Sequence, residues 1–183
     1  MSARVSARVG ARVSARVRSA ALAAALALAA ATPLASQEQA GRRIQLTRDT
    51  VIATVHCGPT GRAFAVLHPN GALDECPLAR DEVLDGVALP RGTWIRLRPD
   101  ASLDGAWLPR DVLLQGIPCK GTGYKGWAVR FHPGGRLALC YLSRETTIDG
   151  VRCRAGSFLT ELSGSTQVTL HPNGRLVRCR PRR

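Results

Sequence analysis

The feature that most constrains the fold is a nine-residue phrase that occurs three times, over residues 68–76, 132–140 and 171–179. Each copy begins with His-Pro, carries Gly at its fourth position and ends with Cys. Proline fixes φ at the second position of a turn, and glycine supplies a left-handed residue, so each copy predicts a β-hairpin. An altered copy begins at Arg98 and has Ala101 in place of glycine. Its turn is therefore expected to differ, with Asp100 as a candidate for the strained position.

A second phrase, Leu-x-Arg-acid, follows the first at a constant distance. Its arginines are separated by 32, 30 and 34 residues and are Arg48, Arg80, Arg110 and Arg144. Three copies continue into an aliphatic-x-Gly-aliphatic stretch, which predicts a third short strand in each unit. Constant offsets between such landmarks are typical of a stacked array of repeats. Apolar residues alternate with polar ones on both sides of the turns, and no helical period occurs outside the leader.

The N-terminus has the organisation of a secretory signal peptide. Residues 1–18 carry five arginines and no acid, and residues 20–31 are only Ala and Leu. A basic segment, a short apolar segment and small residues at the exit predict a signal helix over residues 1–36 that is cleaved. The apolar run is shorter than the roughly 20 residues of a membrane span. The alternative is an Ala-rich leader that stays attached.

The remaining residues, 37–183, suffice for a single β-repeat domain. The fold class we predict is all-β, an array of about three hairpin-plus-strand repeats of 30–39 residues in a twisted meander or solenoid-like sheet. The predicted segments are an entry half-repeat 44–58, repeats 61–92, 93–123 and 124–156, a closing half-repeat 165–179 and a basic tail 180–183.

The six cysteines occupy two positions of the repeat. Three of them end the hairpin phrase, and three follow the predicted third strand. The one unit without a hairpin cysteine has Ala106 there, and the unit before it has Leu89 at the strand-end position. Bonds between the strand end of one unit and the hairpin of the next leave no cysteine unpaired, whereas bonds within a unit leave four. This elimination predicts the pairs Cys57–Cys76, Cys119–Cys140 and Cys153–Cys179, each contributing about 3 kcal/mol in the chain-entropy model.

The other polar residues that could carry chemistry are nearly all parts of the repeat. A ladder formed by His68, His132 and His171 could bind metal, but Arg98 interrupts it, so we expect each His to hydrogen-bond its own turn. His56 beside Cys57 would suggest a thiol nucleophile only if that cysteine were free. No zinc-type cysteine spacing is present, and we predict no metal and no cofactor.

The Arg-acid phrases are expected to be turns in which the acid accepts backbone N–H bonds and the arginine is solvated or pairs with a neighbouring unit. The alternative is an arginine ladder that grips an anionic polymer. The formal charge is +13, of which five arginines belong to the leader, so about +8 remains. A basic exported chain favours anionic surfaces such as acidic polysaccharide or lipid.

Candidate ligand-binding residues lie in one long connector and in the C-terminal tail. The connector residues Tyr124, Lys125 and Trp127 could form a sugar- or lipid-facing platform, although strand phase also suits Trp127 to the core. The tail candidates are Arg178, Arg180, Arg182 and Arg183.

The hydrophobic-x-Pro-x-Gly-x-Leu core of the hairpin phrase resembles MORN-like repeats, which form bacterial β-hairpin arrays. The resemblance covers the hairpin third of each unit, and the usual Gly-x-Trp pattern and shorter period of that family are missing. It implies a binding or scaffolding role.

The sequence therefore predicts a protein exported to the periplasm, cell surface or medium that acts as a non-catalytic structural or binding module. Its expected partners are anionic polysaccharide, lipid or protein surfaces, with no specific nucleic acid and no transmembrane segment in the mature chain. The alternative is a secreted enzyme or enzyme inhibitor that acts through the insertions 122–127 and 157–165. The sequence does not indicate an oligomeric state.

Overall fold

The computed structural model describes residues 41–59, 64–121, 128–156 and 167–181, and every regular element in these ranges is a β-strand. The predicted all-β fold is confirmed. Within the same ranges, no helix is long and apolar enough to cross a membrane. The predicted signal peptide lies outside the described residues.

The strands of the described ranges fall into two kinds, which alternate along the chain. In chain order they are β1 (Arg42–Gln45), β2 (Thr50–Ile52), β3 (Val55–Cys57), β4 (Phe64–Leu67), β5 (Leu73–Pro77), β6 (Glu82–Leu84), β7 (Val87–Leu89), β8 (Trp94–Leu97), β9 (Leu103–Trp107), β10 (Val112–Leu114), β11 (Ile117–Cys119), β12 (Val129–Phe131), β13 (Leu137–Tyr141), β14 (Thr146–Ile148), β15 (Val151–Cys153), β16 (Gln167–Leu170) and β17 (Leu176–Arg178).

Nine of these strands form one antiparallel sheet in the order β1-β4-β5-β8-β9-β12-β13-β16-β17. The other eight form four separate two-stranded ribbons, one between β1 and the first hairpin of the sheet and three between consecutive hairpins. We name them ribbon 1 (β2–β3), ribbon 2 (β6–β7), ribbon 3 (β10–β11) and ribbon 4 (β14–β15). The architecture is therefore a meander whose connections after β1, β5, β9 and β13 each contain a ribbon.

The ribbons correct the prediction of a single third strand per unit. The aliphatic-x-Gly-aliphatic stretch is the turn of a ribbon, and one short strand lies on each side of it. In ribbon 2 the two turn residues, Asp85 and Gly86, have φ values of 47° and 75°. Positive φ at both central residues is the type I′ turn, which matches the twist of paired strands. A central glycine therefore marked a turn and not the end of one strand.

The four hairpins of the sheet are closed by the same backbone hydrogen bond, including the one with the altered phrase. The N–H of Gly71 donates to the carbonyl of His68 at 2.9 Å, and the N–H of Ala101 donates to that of Arg98 at 2.9 Å. Ala101 itself takes the left-handed conformation, with φ 66°. The prediction of a different turn with Asp100 in the strained position was wrong, because alanine accepts here the conformation that glycine takes elsewhere.

Each hairpin also has one extra residue in its second strand, immediately after the turn. In the first hairpin Leu67 pairs with Leu73 and Val66 pairs with Glu75, so Asp74 has no opposite residue. The same register shift recurs in the other three hairpins. A β-bulge of this kind increases local twist and re-aims side chains. Its recurrence gives every hairpin the same bend.

The hydrophobic core lies between the sheet and the ribbons. Alternate sheet residues such as Ile95 and Leu103 are fully buried, and they belong to one apolar cluster with ribbon residues such as Leu89 and Ile117. Neither layer could bury an apolar face alone, because an isolated two-stranded ribbon is marginally stable in water.

Three disulfides connect the two layers. They are Cys57–Cys76, Cys119–Cys140 and Cys153–Cys179, with Cα–Cα distances of 5.8, 5.7 and 5.7 Å. Each joins the second strand of a ribbon to the second strand of the following hairpin or its end. These are the pairs predicted from the positions of the cysteines in the repeat.

Backbone hydrogen bonds reinforce all three of these junctions, with two bonds at each of ribbons 1 and 3 and one at ribbon 4. Beside Cys57, the N–H of Gly58 donates to Pro77 and the N–H of Ala79 donates to His56, at 2.9 and 2.8 Å. At ribbon 3 the equivalent bonds run from Lys120 to Tyr141 and from Ser143 to Pro118, at 2.7 and 2.9 Å.

The junction of ribbon 2 with the β8–β9 hairpin has none of these links. Leu89 and Ala106 replace the two cysteines and are buried, at 1% and 0% exposure. Pro90 and Pro109 stand where the other junctions have the two donating residues, and proline has no N–H. Apolar packing and one side-chain hydrogen bond, from the N–H of Leu103 to Asp85 at 2.7 Å, join this pair of elements.

We expect the substitution pair Leu89→Cys with Ala106→Cys to form a fourth disulfide, because these residues stand where the other junctions have bonded cysteines. Oxidised protein should show no free thiol and should be more stable by about 3 kcal/mol in denaturant unfolding. The reduced double variant is the control for the changes in volume. Two persistent free thiols would contradict the equivalence of the junctions.

A second prediction concerns the turn of ribbon 1, where Ala53 and Thr54 have φ values of 46° and 76°. A β-branched residue at positive φ is strained, so Thr54→Gly should stabilise the protein by about 1 kcal/mol. The matched control is Gly116→Thr, since a Cβ at Gly116 would meet no atom within 4 Å and only backbone strain would change. Thermal unfolding should move in opposite directions for the two variants; equal or absent shifts would contradict the strain.

Candidate functional site

The histidines of the hairpin phrase contact the next hairpin and not only their own turn, which corrects the prediction. The Nε2 atom of His68 lies 3.0 Å from the carbonyl oxygen of Leu97, and that of His132 lies 2.9 Å from the oxygen of Leu170. Arg98 does not interrupt this row: its Nη2 donates to the carbonyl of Phe131 at 2.6 Å. The shared role is to hold the end of the adjacent strand.

His171, the last member of the row, is followed by no further hairpin among the described residues. Its Nδ1 accepts from the N–H of Asn173 in its own turn at 3.4 Å, as the sequence predicted for the whole row. In residues 41–59, 64–121, 128–156 and 167–181, no group of three or more His, Cys, Asp or Glu side chains is placed to hold a metal ion.

Side chains in the ribbon turns form a second set of contacts with the sheet. Three of them accept the N–H of the residue that follows a hairpin turn; the pairs are Asp85 with Leu103, Gln115 with Leu137, and Asp149 with Leu176, at 2.7, 3.1 and 2.6 Å. These polar groups therefore join ribbons 2, 3 and 4 to the hairpins that follow them.

The acids of the Leu-x-Arg-acid phrase behave as expected where their bonds are described. Asp81 accepts the N–H of Arg91 at 2.7 Å, and Asp111 accepts that of Gly121 at 2.9 Å. Arg80 is exposed and pairs with Glu82 of its own ribbon at 3.1 Å, not with a neighbouring unit.

Glu82 also joins two ribbons, since its carboxylate lies 2.7 Å from Nδ1 of His56. Burial raises the pKa of Glu82, but hydrogen bonds from Arg80 and His56 outweigh it, so the pKa lies below its ordinary value of 4.5. Cys57 is in a disulfide, so His56 has no neighbouring thiol to activate.

The face of the sheet away from the ribbons carries a buried polar and aromatic cluster. Glu75 accepts from Nε1 of Trp94 at 2.9 Å and from Nε of Arg96 at 2.7 Å. The guanidinium of Arg96 lies 5.2 Å from the ring centroid of Trp107. Both tryptophans are buried, so they do not present a flat aromatic platform to a ligand.

A groove of about 440 Å³ separates ribbons 2 and 3, at the junction that lacks the disulfide. Its apolar wall includes Val83, Leu89 and Leu113, and Val83 and Leu113 are 67% and 61% exposed. The acids that line it are Asp81, Glu82 and Asp111, and all three accept hydrogen bonds from this protein. The groove thus offers an apolar surface to a ligand, and its acidic side chains already accept hydrogen bonds from within the protein.

The charge of the described residues is concentrated at the C-terminal end. Those between 41 and 121 carry nine basic and nine acidic side chains, a net charge of zero, whereas those between 128 and 181 carry eight arginines and two acids, a net charge of +6. Six exposed arginines lie on or beside ribbon 4 and β17, and we name them the cationic end: Arg144, Arg152, Arg154, Arg175, Arg178 and Arg180.

Backbone pairing brings both chain segments of the cationic end together. The N–H of Arg154 donates to the carbonyl of Arg180 at 2.9 Å, so the exit of ribbon 4 lies beside the exit of β17. Of the two acids, Glu145 pairs with Arg152 at 2.9 Å, and Asp149 accepts the N–H of Leu176. Within the described part of the chain, the arginines therefore outnumber the carboxylates able to neutralise them.

Of the predicted ligand-binding residues, Arg178 and Arg180 belong to the cationic end and are exposed. The others, Tyr124, Lys125, Trp127, Arg182 and Arg183, lie outside the described residues, as do the insertions 122–127 and 157–165. Sequence reasoning considered Arg144 only as part of an arginine ladder along the repeats and missed Arg152 and Arg154, although counting charge separately in the two halves of the chain would have indicated them.

Comparison with protein-family models, with curated proteins and with solved structures finds no match to this chain.

The Glu82 contacts generate a pH prediction. Because folding lowers the pKa of Glu82, the ionised form stabilises the folded state; this contribution is complete above about pH 4.5 and is lost as the pH falls through the lower folded value. Glu82→Gln should therefore lose stability at neutral pH and show a weaker loss on acidification than the wild type.

Urea unfolding between pH 3 and 7 measures this difference directly. Asp74 contributes with the opposite sign, since burial raises its pKa more than His68 lowers it. The comparison of wild type with Glu82→Gln cancels that contribution. Parallel stability curves would contradict the role given to Glu82.

Proposed function

We propose that this chain is an exported, non-catalytic binding module that attaches to anionic polymers or surfaces through its cationic end. The observation that carries the proposal is the charge distribution, with a net charge of zero before residue 121 and +6 after residue 128 among the described residues. A concentrated charge of one sign attracts opposite charge more strongly than the same charge dispersed over a surface.

Export is part of the proposal and is supported by the leader sequence and by the disulfides. Three disulfides in a chain of this size are typical of oxidising compartments such as the periplasm or the extracellular space. A MORN-like relationship would agree with a binding role, but it rests on the hairpin phrase alone.

The polar groups of the repeat support a binding role over catalysis. The turn histidines, the ribbon-turn side chains and the acids of the second phrase mostly hold backbone groups of neighbouring elements, as described above. Groups that satisfy buried or half-buried backbone donors and acceptors stabilise the array, and removing them leaves those partners unsatisfied.

The test is retention on a dextran sulfate column eluted with a salt gradient. The triple variant Arg144→Gln, Arg178→Gln and Arg180→Gln should elute at much lower salt than the wild type, because it removes half of the cationic end. The matched control is Arg48→Gln, Arg91→Gln and Arg110→Gln, which removes the same charge from exposed positions outside the cationic end. The control should elute close to the wild type.

Equal shifts for both triple variants would show that net charge alone determines retention, and would overturn the assignment to the cationic end. Weak retention of the wild type, independent of salt, would overturn the proposal itself. Substitution is preferable to deletion of residues 180–183, because the carbonyl of Arg180 accepts a backbone bond from ribbon 4 and Pro181 pairs with Cys153.

A further inference from the structure

Within the sheet, the second strand of each hairpin pairs with the first strand of the next hairpin. These pairings, which we call the internal junctions to distinguish them from the ribbon junctions, show which residues an incoming strand needs. At the three internal junctions, the residues of the incoming strand that face Cys76, Ala106 and Cys140 are β-branched and buried: Ile95, Val129 and Val168. The residue after each points to the outer face, and the one after that is apolar, being Leu97, Phe131 and Leu170. The carbonyl of this third residue accepts the bond from the turn His or Arg.

The C-terminal edge of the sheet, formed by β17, has residues at each position that contacts the incoming strand at an internal junction. By register, Cys179 corresponds to Cys76, Arg178 to Glu75 and His171 to His68. Yet β17 is the last strand of the sheet, and no strand of the described residues pairs with its outer edge.

The core is correspondingly less covered at this edge. Leu176 and Cys179 are only half-buried, whereas their counterparts Leu137 and Cys140 are buried. Val177 is 62% exposed. The edge therefore exposes apolar surface, unpaired backbone and a histidine without the carbonyl that its counterparts bind.

We propose that the edge of β17 binds an extended acidic segment of a partner protein as a tenth, antiparallel strand. The segment would carry Val or Ile opposite Cys179, Asp or Glu opposite Arg178, and then Leu or Phe, whose carbonyl accepts the bond from His171. Strand addition of this kind combines backbone hydrogen bonds with pockets for alternate side chains.

Charge specifies the central residue of the segment. At the first internal junction Glu75 lies opposite Arg96 and the two side chains form an ion pair. Arg178 takes the position of Glu75 in β17, so the sign is reversed and the complementary residue is acidic. Arg175 and Arg180 flank the same edge and extend the preference for acid to both sides.

The same charges argue against a second copy as the occupant. Two β17 edges paired with each other would bring their arginines together, and like charges directly opposite are destabilising. The other end of the sheet, β1, carries Arg42 and Arg43. In this meander β1 and β17 also run in the same direction, so pairing them between two copies with the ribbons on the same face would be parallel, unlike every pairing within the sheet.

This inference rests on the proposed function in using the same arginines, and a pair of probes separates the two. The first is a fluorescein-labelled peptide of about ten residues with a central Val-Glu-Leu and acidic flanks. The second is identical except for N-methyl groups on the Val and Leu amides, which keep the charge and remove the backbone donors. We expect the first to bind the oxidised protein in fluorescence anisotropy at physiological ionic strength, and the second to bind at least about tenfold more weakly.

Protein variants then test the roles that we give to Arg178 and His171 at the edge of β17. Arg178→Glu should weaken binding of the Val-Glu-Leu peptide about tenfold and should prefer a Val-Lys-Leu version with otherwise identical sequence. His171→Ala should weaken binding about fivefold. Arg110→Glu, which makes the same charge change far along the chain, is the control and should leave the preference for the central residue unchanged.

Equal binding of the free and N-methylated peptides would overturn strand addition while leaving attachment to anionic polymers intact. If neither peptide binds while dextran sulfate retention is preserved, strand addition is overturned as well. If neither peptide binds and dextran sulfate does not retain the protein, both proposals are overturned. A dimer in sedimentation analysis that Val177→Pro dissociates would make a second copy the occupant and would contradict the acidic partner.

Discussion

The junction between each ribbon and the hairpin that follows it is the interaction on which the rest of the structure depends. A ribbon of two three-residue strands cannot persist alone, and a sheet with one apolar face needs a cover. The junction solves both problems by fixing the ribbon over the sheet with a disulfide, with paired backbone groups and with a turn side chain. Three of the four junctions have the covalent link, and the core between the two layers runs through all of them.

Differences between these junctions explain why the repeats of the structure are not all alike. Where Pro90 and Pro109 remove both backbone donors, the cysteines are absent too, and a groove lies between ribbons 2 and 3. At the C-terminal edge of the sheet no described strand pairs with the outer side of β17, so β17 retains the receiving half of a junction. The cationic residues gather at this edge, which is why we place the binding surface there and not at the groove.

Much of the fold could be predicted because the sequence repeats. The turns follow from Pro and Gly at fixed positions, and the cysteine pairs follow from the joint absence of cysteine at 89 and 106. Features that depend on three-dimensional neighbours could not be predicted. The carbonyl bound by His68 lies 29 residues away and on another hairpin. The second ribbon strand is three residues long, too short for alternation to show it. Ala101 adopts a conformation that propensity alone assigns to glycine.

The candidate site was less predictable than the fold for a related reason. Periodic patterns indicate what each unit shares, whereas binding depends on how the last unit departs from the others. Arg178 carries the opposite charge to Glu75, and this difference becomes informative only when the strand register places both residues at the same point of a junction.

Peptide mapping of the oxidised protein without reduction tests the ribbon-to-hairpin arrangement most directly. We expect three cross-linked peptide pairs, containing Cys57 with Cys76, Cys119 with Cys140 and Cys153 with Cys179. Each pair joins a ribbon to the hairpin after it. A cross-link between Cys140 and Cys153 would join a hairpin to its own following ribbon, and would contradict the arrangement on which both proposals depend.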